Sequence, residues 1–248
     1  MNLESIDRLG QIRRRLDMDG RVRVVQLASD LDVSEMTIRR DLDVLVDEGI
    51  AHRVRGGAVA VGPQQFAARA EQHARAKSRI ADKLVDLIGI GGAIGIDASS
   101  TLQRLATRLA PARDLTVLTN GLDTFRSLQG HAGVTALLTG GALDESTDSL
   151  VGPLATRAAG DVMLRRLFVS ASALDPALGS SESTLLDAEV KLALAGAAAE
   201  VVLALDASKL GHRAPARCFA MDRVDFLVTD LDPADRRLDP YRDQVEVV

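Results

Sequence analysis

The sequence predicts an α/β domain with a largely parallel sheet, preceded by a small winged helix-turn-helix domain. Three observations lead to this prediction. Residues 33 to 45 (VSEMTIRRDLDVL) have the spacing of an amphipathic helix. Residues 50 to 61 hold two β-prone runs around a Gly-Gly pair, which is typical of a hairpin. From residue 78 onward, short apolar runs alternate with Ala- and Leu-rich helical stretches, as they do in βαβ units.

The helix predicted over residues 33 to 45 has two different faces. With about 100° of rotation per residue, Ile38, Leu42 and Leu45 form one apolar stripe that faces a core. Ser34 can cap the first turn through its hydroxyl oxygen. The other side and its flanks carry Met36, Thr37, Arg39, Arg40 and Asp43. Hydroxyl and guanidinium groups bind phosphate oxygens or the edge of guanine, so this side is a candidate DNA-reading face.

An ordinary solvated amphipathic helix would show the same charges, so the neighbouring elements decide between the two interpretations. Residues 24 to 31 (VVQLASDL) predict a helix of about two turns. The link that follows, residues 32 to 35, has the length of the turn in a helix-turn-helix. The hairpin at residues 50 to 61 would supply a wing. This order of elements favours a DNA-binding winged helix.

At this point the chain resembles a known family. The segment VSEMTIRRDLDVLVDEGIAHRVRGGAV is similar to the N-terminal signature of the DeoR-type bacterial transcription regulators. The resemblance implies that the second helix touches operator DNA and that the wing holds the DNA backbone. Two residues depart from the family pattern: Arg23 stands where a helix-capping Ser is common, and Arg55 where a His is common. The candidate DNA-binding residues are Ser34, Thr37, Arg39 and Arg40 of the helix and Arg53 and Arg55 of the wing.

The composition of the chain limits the number of domains and the location of the protein. A chain of 248 residues with 46% hydrophobic content can bury the cores of two domains. It has no run of roughly eighteen apolar residues, and its first residues lack the apolar region of a signal peptide. We therefore expect a cytoplasmic protein without membrane contact. The single Cys218 is expected to be a small buried hydrophobe. No spacing of His, Cys and carboxylate residues suggests a metal site, and we expect no cofactor.

The charge distribution bears on DNA binding. The formal net charge is −5, and residues 1 to 61 carry ten arginines against eleven acidic residues, so neither part of the chain is basic overall. The arginines are clustered, whereas the acidic residues are dispersed. Contact with phosphate depends on local potential. We therefore expect modest non-specific affinity and dependence on a specific operator.

The chain divides into three predicted parts. Residues 1 to 61 form the winged helix-turn-helix domain, residues 62 to 76 a polar, Ala-rich linker that runs into a helix, and residues 77 to 248 the α/β domain. In the last part we predict helices over residues 102 to 109 and 184 to 199. The predicted strands cover residues 93 to 97, 115 to 119, 134 to 138, 167 to 171, 201 to 206, 225 to 229 and, at an edge, 245 to 248.

Small polar residues follow three of these strands. The segments are DASST (97 to 101), TNG (119 to 121) and TGG (139 to 141). Ser, Thr and Gly are ordinary turn and cap residues, so each segment alone is a weak signal. Function in open parallel sheets collects where strands end and helices begin. Three such segments in succession indicate a rim of hydroxyls and backbone amides suited to a phosphate and a polyol.

The resemblance to the same regulators extends over nearly the whole chain, because DASST, TNG, TGG, DAEVK and DASKLG match their C-terminal effector domain in order. It implies a fold similar to ribose-phosphate isomerase, in which the old active site serves as a sensor. One departure is that SASA (170 to 173) and GSSEST (179 to 184) stand where Gly-rich loops are common, which indicates an unusual effector. The effector contacts implied are Asp97, Ser99, Ser100, Thr101, Asn120, Gly140, Gly141, Lys191 and Lys209.

The function predicted is that of a DNA-binding repressor of a sugar catabolic operon, released by a phosphorylated sugar and working as a homo-oligomer, a dimer or tetramer, on operator DNA. One alternative is a sugar-phosphate isomerase or deaminase with an added DNA-binding domain. Such chemistry needs a general acid and base. SASA offers neither, and the first acid after it is Asp175. A ligand-independent architectural DNA binder would leave the polar rim unexplained.

Overall fold

The computed structural model describes residues 3 to 48, 50 to 60, 66 to 110, 112 to 145 and 147 to 248. The chain forms two compact units, Met1–Gln72 (unit 1) and His73–Val248 (unit 2). Among the helices described, none combines the length and apolar character that crossing a bilayer requires.

Unit 1 is a winged helix-turn-helix. Its sheet has the order β1-β3-β2, and both pairs are antiparallel. Gly57 permits this sheet to close, because a Cβ there would lie 1.9 Å from the carbonyl oxygen of Val22. The predicted helix, turn, helix and hairpin are confirmed. The elements are α1 (Leu3–Asp19), β1 (Arg21–Arg23), α2 (Val24–Asp30), α3 (Glu35–Asp47), β2 (Ala51–Val54), β3 (Gly57–Ala60) and α4 (Phe66–Glu71).

Helix α3 has the two predicted faces. Ser34 precedes it, and the hydroxyl oxygen of Ser34 accepts a hydrogen bond from the backbone N–H of Thr37 at 3.1 Å. This is the geometry of an N-cap, so the helix begins where the sequence indicates. Ile38, Leu42 and Leu45 are buried in the core of unit 1, where they pack with residues of α1 and α2.

The predicted linker, residues 62 to 76, differs from the expectation of one polar stretch leading into one helix. Its first residues, 62 to 65, lie outside the described part of the chain. From residue 66 onward it contains α4 and the start of a second helix, and the boundary between the two units falls at residues 72 and 73. Alanine has the highest helix propensity of all residues, which explains why this Ala-rich segment is helical.

Unit 2 is built on seven parallel strands in the order β15-β14-β12-β9-β4-β5-β6, as the α/β prediction requires. The strands of this sheet are β4 (Gly92–Ile96), β5 (Leu115–Thr119), β6 (Val134–Leu138), β9 (Leu164–Val169), β12 (Ala198–Ala204), β14 (Phe226–Val228) and β15 (Glu246–Val247). The short strands beside it are β7 (Ala142–Asp144), β8 (Ser149–Val151), β10 (Ala173–Asp175), β11 (Gly179–Glu182) and β13 (Ala216–Arg217).

Helices cover both faces of this sheet, since two separate apolar clusters contain residues from the strands and from different helices. One cluster includes α5, α6 and α7, and the other includes α8, α9 and α10. The result is a three-layer domain with a core on each side of the sheet. The helices are α5 (Ala74–Val85), α6 (Ser100–Ala106), α7 (Leu122–Leu128), α8 (Pro153–Gly160), α9 (Leu185–Gly196) and α10 (Asp239–Arg242).

The boundaries of some predicted helices and strands are wrong by several residues. Strands β9 and β12 begin three residues earlier than the apolar runs indicate, because Ala198 pairs with Leu164 and Glu200 with Arg166 in the parallel ladder. An ion pair between Arg166 and Glu200 accommodates their charges. The helix predicted over residues 184 to 199 therefore ends at Gly196, the one predicted over 102 to 109 covers Ser100–Ala106, and part of GSSEST is strand β11.

Candidate functional site

The exposed side of α3 carries two neighbouring arginines in different environments. Arg40 is exposed and forms no hydrogen bond or ion pair with any residue that the structure describes. Arg39 differs, because its guanidinium pairs with Glu35 one turn earlier at 3.0 Å. Thr37 is partly exposed, and its hydroxyl lies 2.9 Å from the Ser34 hydroxyl. Arg40 is therefore the cation on this face that is most available to DNA.

The two wing arginines have different environments. Arg53 is bound to α3, since it donates to the Asp43 carboxylate at 2.9 and 2.7 Å and to the carbonyl oxygen of Arg39 at 2.6 Å. Arg55 lies in the exposed turn between β2 and β3 and has no ion-pair partner among the described residues. Arg53 thus fastens the wing to α3, and Arg55 is the wing cation that is available to a phosphate.

The sheet of unit 2 has one switch point, between β4 and β9. Strands β5 and β6 follow β4 in the chain and lie on one side of it in the sheet. Strands β12, β14 and β15 follow β9 and lie on the other side. Connections that leave in opposite directions open a crevice at the carboxyl ends of the two central strands, which is where ligands bind in open α/β sheets. Asp97 follows β4 at this point, and Ser170 follows β9.

A buried cluster of charges lies at the switch point. The Asp97 carboxylate accepts hydrogen bonds from the backbone N–H of Ser99 and of Ser170, each at 2.9 Å. Lys191 of α9 places its Nζ 3.2 Å from Asp97 Oδ2 and 2.7 Å from Glu182 Oε1. The same ammonium donates to the carbonyl oxygen of Ser170 at 2.9 Å. Side chains from three separate parts of the sequence therefore join the two halves of the sheet.

Lys191 is engaged with protein groups in this cluster. Two of the three N–H donors of its ammonium bond to Glu182 and to the backbone of Ser170, and the Asp97 carboxylate is an ion-pair partner at 3.2 Å. Burial acts to lower the pKa of Lys191, but the carboxylates of Glu182, Asp97 and Asp187 outweigh it and raise the pKa above its ordinary value. Lys191 is therefore charged, and it neutralises carboxylates of the protein.

Further polar side chains surround this cluster. The hydroxyl of Ser149 donates to the Asp187 carboxylate at 3.4 Å, and Ser149 lies 2.7 Å from the Thr147 hydroxyl. Ser172 donates to Glu182 Oε2 at 2.9 Å. Ser149, Thr147 and Ser172 come from short strands and loops, which local sequence periodicity does not indicate, and they were not predicted as site residues.

Two buried polar atoms at the strand ends lack a hydrogen-bond partner among the described residues. They are Oδ1 of Asn120, which follows β5, and the hydroxyl of Ser170, which follows β9. The amide nitrogen of Asn120 donates to the carbonyl oxygen of Leu150 at 3.3 Å, so its orientation is fixed. Leaving such a group unsatisfied costs about 1–3 kcal/mol. Each atom is therefore a candidate for bonding to a ligand.

Two lysines lie on the other side of the loop that contains Asp97. Lys77 of α5 is buried, and its Nζ donates to the Ser100 hydroxyl at 3.0 Å. Lys209 donates to the carbonyl oxygen of Ala171 at 2.6 Å. Despite burial, Asp206 has a lowered pKa because the charges of Lys209, His73 and Lys77 act on it. Lys77 and Lys209 therefore both act on the same buried carboxylate.

The remaining predicted effector residues also lie at the carboxyl edge of the sheet. Ser99 caps α6 by accepting from the N–H of Leu102 at 3.2 Å, and Thr101 is buried in the same helix. Gly140 and Gly141, which follow β6, are exposed and have φ angles of 69° and 123°. A Cβ at Gly141 would lie 2.7 Å from the carbonyl oxygen of Val151. This turn therefore requires glycine.

The SASA segment has no carboxylate, as the sequence shows, but other segments bring carboxylates to Lys191. Asp175 pairs with Arg213 on a different element, but Asp97, Glu182 and Asp187 all approach Lys191. Glu182 belongs to the GSSEST segment, which forms strand β11 and was expected to be a loop. Among the described residues, no group of three metal-ligating side chains is arranged to hold a metal ion.

A winged helix-turn-helix unit and an α/β unit with a site at its switch point, present in one chain, define the class of ligand-responsive DNA-binding proteins. Comparison with known families agrees with this class. Residues 8–64 match the DeoR-like helix-turn-helix domain, and residues 72–231 match the DeoR C terminal sensor domain. The chain belongs to the DeoR family of transcriptional regulators.

Characterised relatives span nearly the full chain. HTH-type transcriptional regulator GolR of Listeria innocua is 31% identical and covers 90% of both chains. L-fucose operon activator of Haemophilus influenzae is 30% identical over 94% of both. The lactose phosphotransferase system repressor of Staphylococcus epidermidis is 27% identical over 99% of this chain and all of the relative. These relatives are regulators, so the isomerase alternative is not favoured, and the chain is a DNA-binding transcriptional regulator.

Solved structures resemble this chain only distantly. A D-ribose-5-phosphate isomerase in complex with phospho-erythronic acid covers 54% of this chain and 52% of its own, with 13% identity and a TM-score of 0.40. The match is too remote to carry an argument about the site.

Proposed function

We propose that this regulator represses an operon of sugar catabolism and that a phosphorylated sugar, bound at the switch point of unit 2, releases it from its operator. The observation that supports an effector most directly is that two buried atoms, Asn120 Oδ1 and the Ser170 hydroxyl, have no hydrogen-bond partner in the described part of the chain. A ligand that carries several hydroxyl groups can satisfy both atoms, because a hydroxyl both donates and accepts hydrogen bonds.

The charges around these atoms support a sugar that also carries a phosphate. Carboxylates such as Asp187 accept hydrogen bonds from sugar hydroxyls, and lysines such as Lys209 bind phosphate as compact cations. The exposed Gly140-Gly141 turn offers backbone N–H groups close to the same edge. Asp97, Ser99 and Lys191 support the site through their internal hydrogen bonds, whereas Ser100, Thr101 and Asn120 are the contacts we propose along the rim.

On the DNA side, we propose different roles for the six candidate residues. Arg40 and Thr37 read base edges, since they lie on the outer side of α3. Arg55 binds a phosphate from the wing. Ser34, Arg39 and Arg53 position these groups, because their side chains hydrogen-bond with Thr37, Glu35 and Asp43, respectively.

The remaining parts of the proposal are the oligomeric state and the direction of regulation, which is repression or activation. One winged helix buries too little surface for tight specific binding, so a dimer or tetramer on repeated half-sites is proposed. Because the target is operator DNA, the proposed location is the cytoplasm. One of the relatives named above is an activator and another a repressor, and repression is proposed here from the family resemblance of the sequence. Sedimentation that shows a monomer at operator-saturating concentration would contradict the assembly.

A ligand screen tests the proposal. The full chain is heated with a panel of pentose and hexose phosphates and with the same sugars without phosphate. A ligand at about 100 times its Kd should add close to 2.7 kcal/mol to the unfolding free energy, which raises Tm. The active compound should then displace a duplex selected by the protein from a random library. If no sugar phosphate shifts Tm or changes DNA affinity, the proposed function is wrong.

A further inference from the structure

We infer that the anionic group of the effector binds to Lys77 and Lys209, not to Lys191, and that Lys77 makes operator release depend on this contact. The inference rests on the proposed function. It adds the orientation of the ligand, a binding residue that the sequence analysis did not identify, and the element through which binding is transmitted.

The acidic end of the site cannot hold a phosphate without a large cost. Three carboxylates, those of Asp97, Glu182 and Asp187, act on the single ammonium of Lys191. Lys191 already donates to Glu182 and to the backbone of Ser170, and it pairs with Asp97. A phosphate placed there would meet an excess of negative charge in a buried region, where like charges repel strongly. This end suits sugar hydroxyls, which can donate to carboxylates.

The opposite end carries two ammonium groups. Lys77 and Lys209 both act on the Asp206 carboxylate there. The Nζ of Lys77 reaches the hydroxyl of Ser100, which follows β4 at the switch point. Lys209 binds the backbone of Ala171, which follows β9. The two lysines thus approach the crevice from the ends of its two central strands.

Lys77 lies on the helix that leads into unit 2. Helix α5 begins at Ala74, directly after the boundary between the units, and its N-terminal cap His73 has a left-handed φ of 52°. The buried face of α5 consists of Lys77, Ile80, Ala81 and Leu84, and the three apolar residues belong to one core cluster of unit 2. The first turn of α5 is therefore attached to the effector site through Lys77.

This attachment gives a physical route for the switch. The ammonium of Lys77 donates to the Ser100 hydroxyl, which is a neutral acceptor. A phosphate would form a stronger, charge-assisted hydrogen bond with the same ammonium. A ligand shifts an equilibrium only through its different affinity for two states. The effector therefore favours the state in which the first turn of α5 is drawn towards the ligand. In the sequence, this turn adjoins the connection to the DNA-binding unit.

The experiment uses inorganic phosphate and the full chain. Phosphate binding is measured by calorimetry in the wild type, in Lys77→Met and in Arg79→Met, the control. Arg79 is exposed on the same helix, so its replacement removes the same charge outside the site. Lys77→Met should lower phosphate affinity at least tenfold, and Arg79→Met should change it less than twofold. Lys209→Met, at a partly exposed position, should also weaken binding and is a second test if Lys77→Met does not fold.

Operator release is then measured with the sugar phosphate to which the wild type responds. With operator affinity without effector measured separately for each protein, Lys77→Met should require at least tenfold more effector for release than the wild type. Phosphate affinity equal to that of the wild type in Lys77→Met, or in Lys209→Met, would overturn the subsite. Unchanged release in Lys77→Met would overturn the coupling. If phosphate binds at Lys77 but no sugar phosphate acts on the wild type, the subsite stands and the proposed function fails.

Discussion

Lys191 and Glu182 form a buried ion pair, with Nζ and Oε1 2.7 Å apart, between helix α9 and strand β11. This pair changes the role assigned to Lys191. The resemblance of the sequence to sensor domains implies an effector contact, whereas the structure shows an ammonium that holds two carboxylates at the switch point of the sheet. Its contribution is therefore to the structure and electrostatic balance of the site.

The first prediction concerns the stability of this cluster. Lys191→Met leaves Asp97 and Glu182 buried without a counter-charge, and breaking a buried pair in this way costs about 3–5 kcal/mol. Urea unfolding measures the loss. The control is Glu189→Met, which removes a charge from an exposed position of the same helix and should change the unfolding free energy by less than about 0.5 kcal/mol.

The pH dependence of this loss follows from the raised pKa of Lys191. A group with a raised pKa in the folded state stabilises fully below its unfolded pKa, about 10.4 for lysine, and the stabilisation is lost as the pH rises through the folded value. The difference between wild type and Lys191→Met should therefore be as large at pH 9 as at pH 7. A difference that disappeared between these values would show that Lys191 is not held charged by its neighbours.

The second prediction tests whether the Ser170 hydroxyl binds the effector or is an ordinary buried group of the core. Ser170→Ala removes a buried hydroxyl that has no partner among the described residues, so the unliganded protein should be as stable as the wild type or more stable. Effector affinity should fall by a factor that corresponds to about 1–3 kcal/mol.

Ser180→Ala is the matched control for this comparison. The Ser180 hydroxyl accepts a hydrogen bond from the N–H of Phe219 at 3.0 Å, so its removal should lower stability and leave effector affinity unchanged. Unfolding and ligand titration together check both variants. If Ser170→Ala lost stability and kept full affinity, the Ser170 hydroxyl would be an ordinary core group.

The third prediction tests base readout. Arg40→Ala should cost roughly 1–3 kcal/mol of operator affinity and relax the preference at one base pair, if Arg40 binds guanine in the groove. Arg157→Ala, at an exposed position of α8 in unit 2, is the control and should leave DNA binding unchanged. The measurement is operator binding across single base-pair variants, and unchanged selectivity in Arg40→Ala would disprove the role.

The fourth prediction concerns the wing. Arg55→Ala should weaken all DNA sequences alike and lower the slope of log affinity against log salt by about one, because one phosphate contact is lost. Titrations at several salt concentrations measure this slope. A change in base preference in Arg55→Ala, with an unchanged salt slope, would mean that Arg55 reads sequence.

The sequence predicts the fold well where local periodicity is strong. The amphipathic stripe of Ile38, Leu42 and Leu45 and the cap by Ser34 suffice to place α3, because both depend on residues within a few positions. The order of the seven strands was not predictable. It depends on pairings such as Ala198 with Leu164, and no local pattern specifies these.

The site was predictable only in part. The strand-end segments that contain Asp97 and Asn120 are visible because small polar residues follow apolar runs. Glu182 was missed because its partner, Lys191, lies nine residues away on another element, and Lys77 was missed because a lysine in an Ala-rich helix looks like a solvated residue. A buried charge has no signature of its own in the sequence, since its burial is decided by tertiary packing.

The most direct test of the account is to titrate the effector sugar phosphate by calorimetry into the free protein and into the protein saturated with operator DNA. If the effector releases the repressor, DNA must weaken effector binding by the same factor by which effector weakens DNA binding, and a coupling of about 1–3 kcal/mol corresponds to roughly 5- to 150-fold. We predict weaker effector binding in the complex. Equal affinity in both titrations, or tighter binding in the presence of DNA, would contradict the proposed switch.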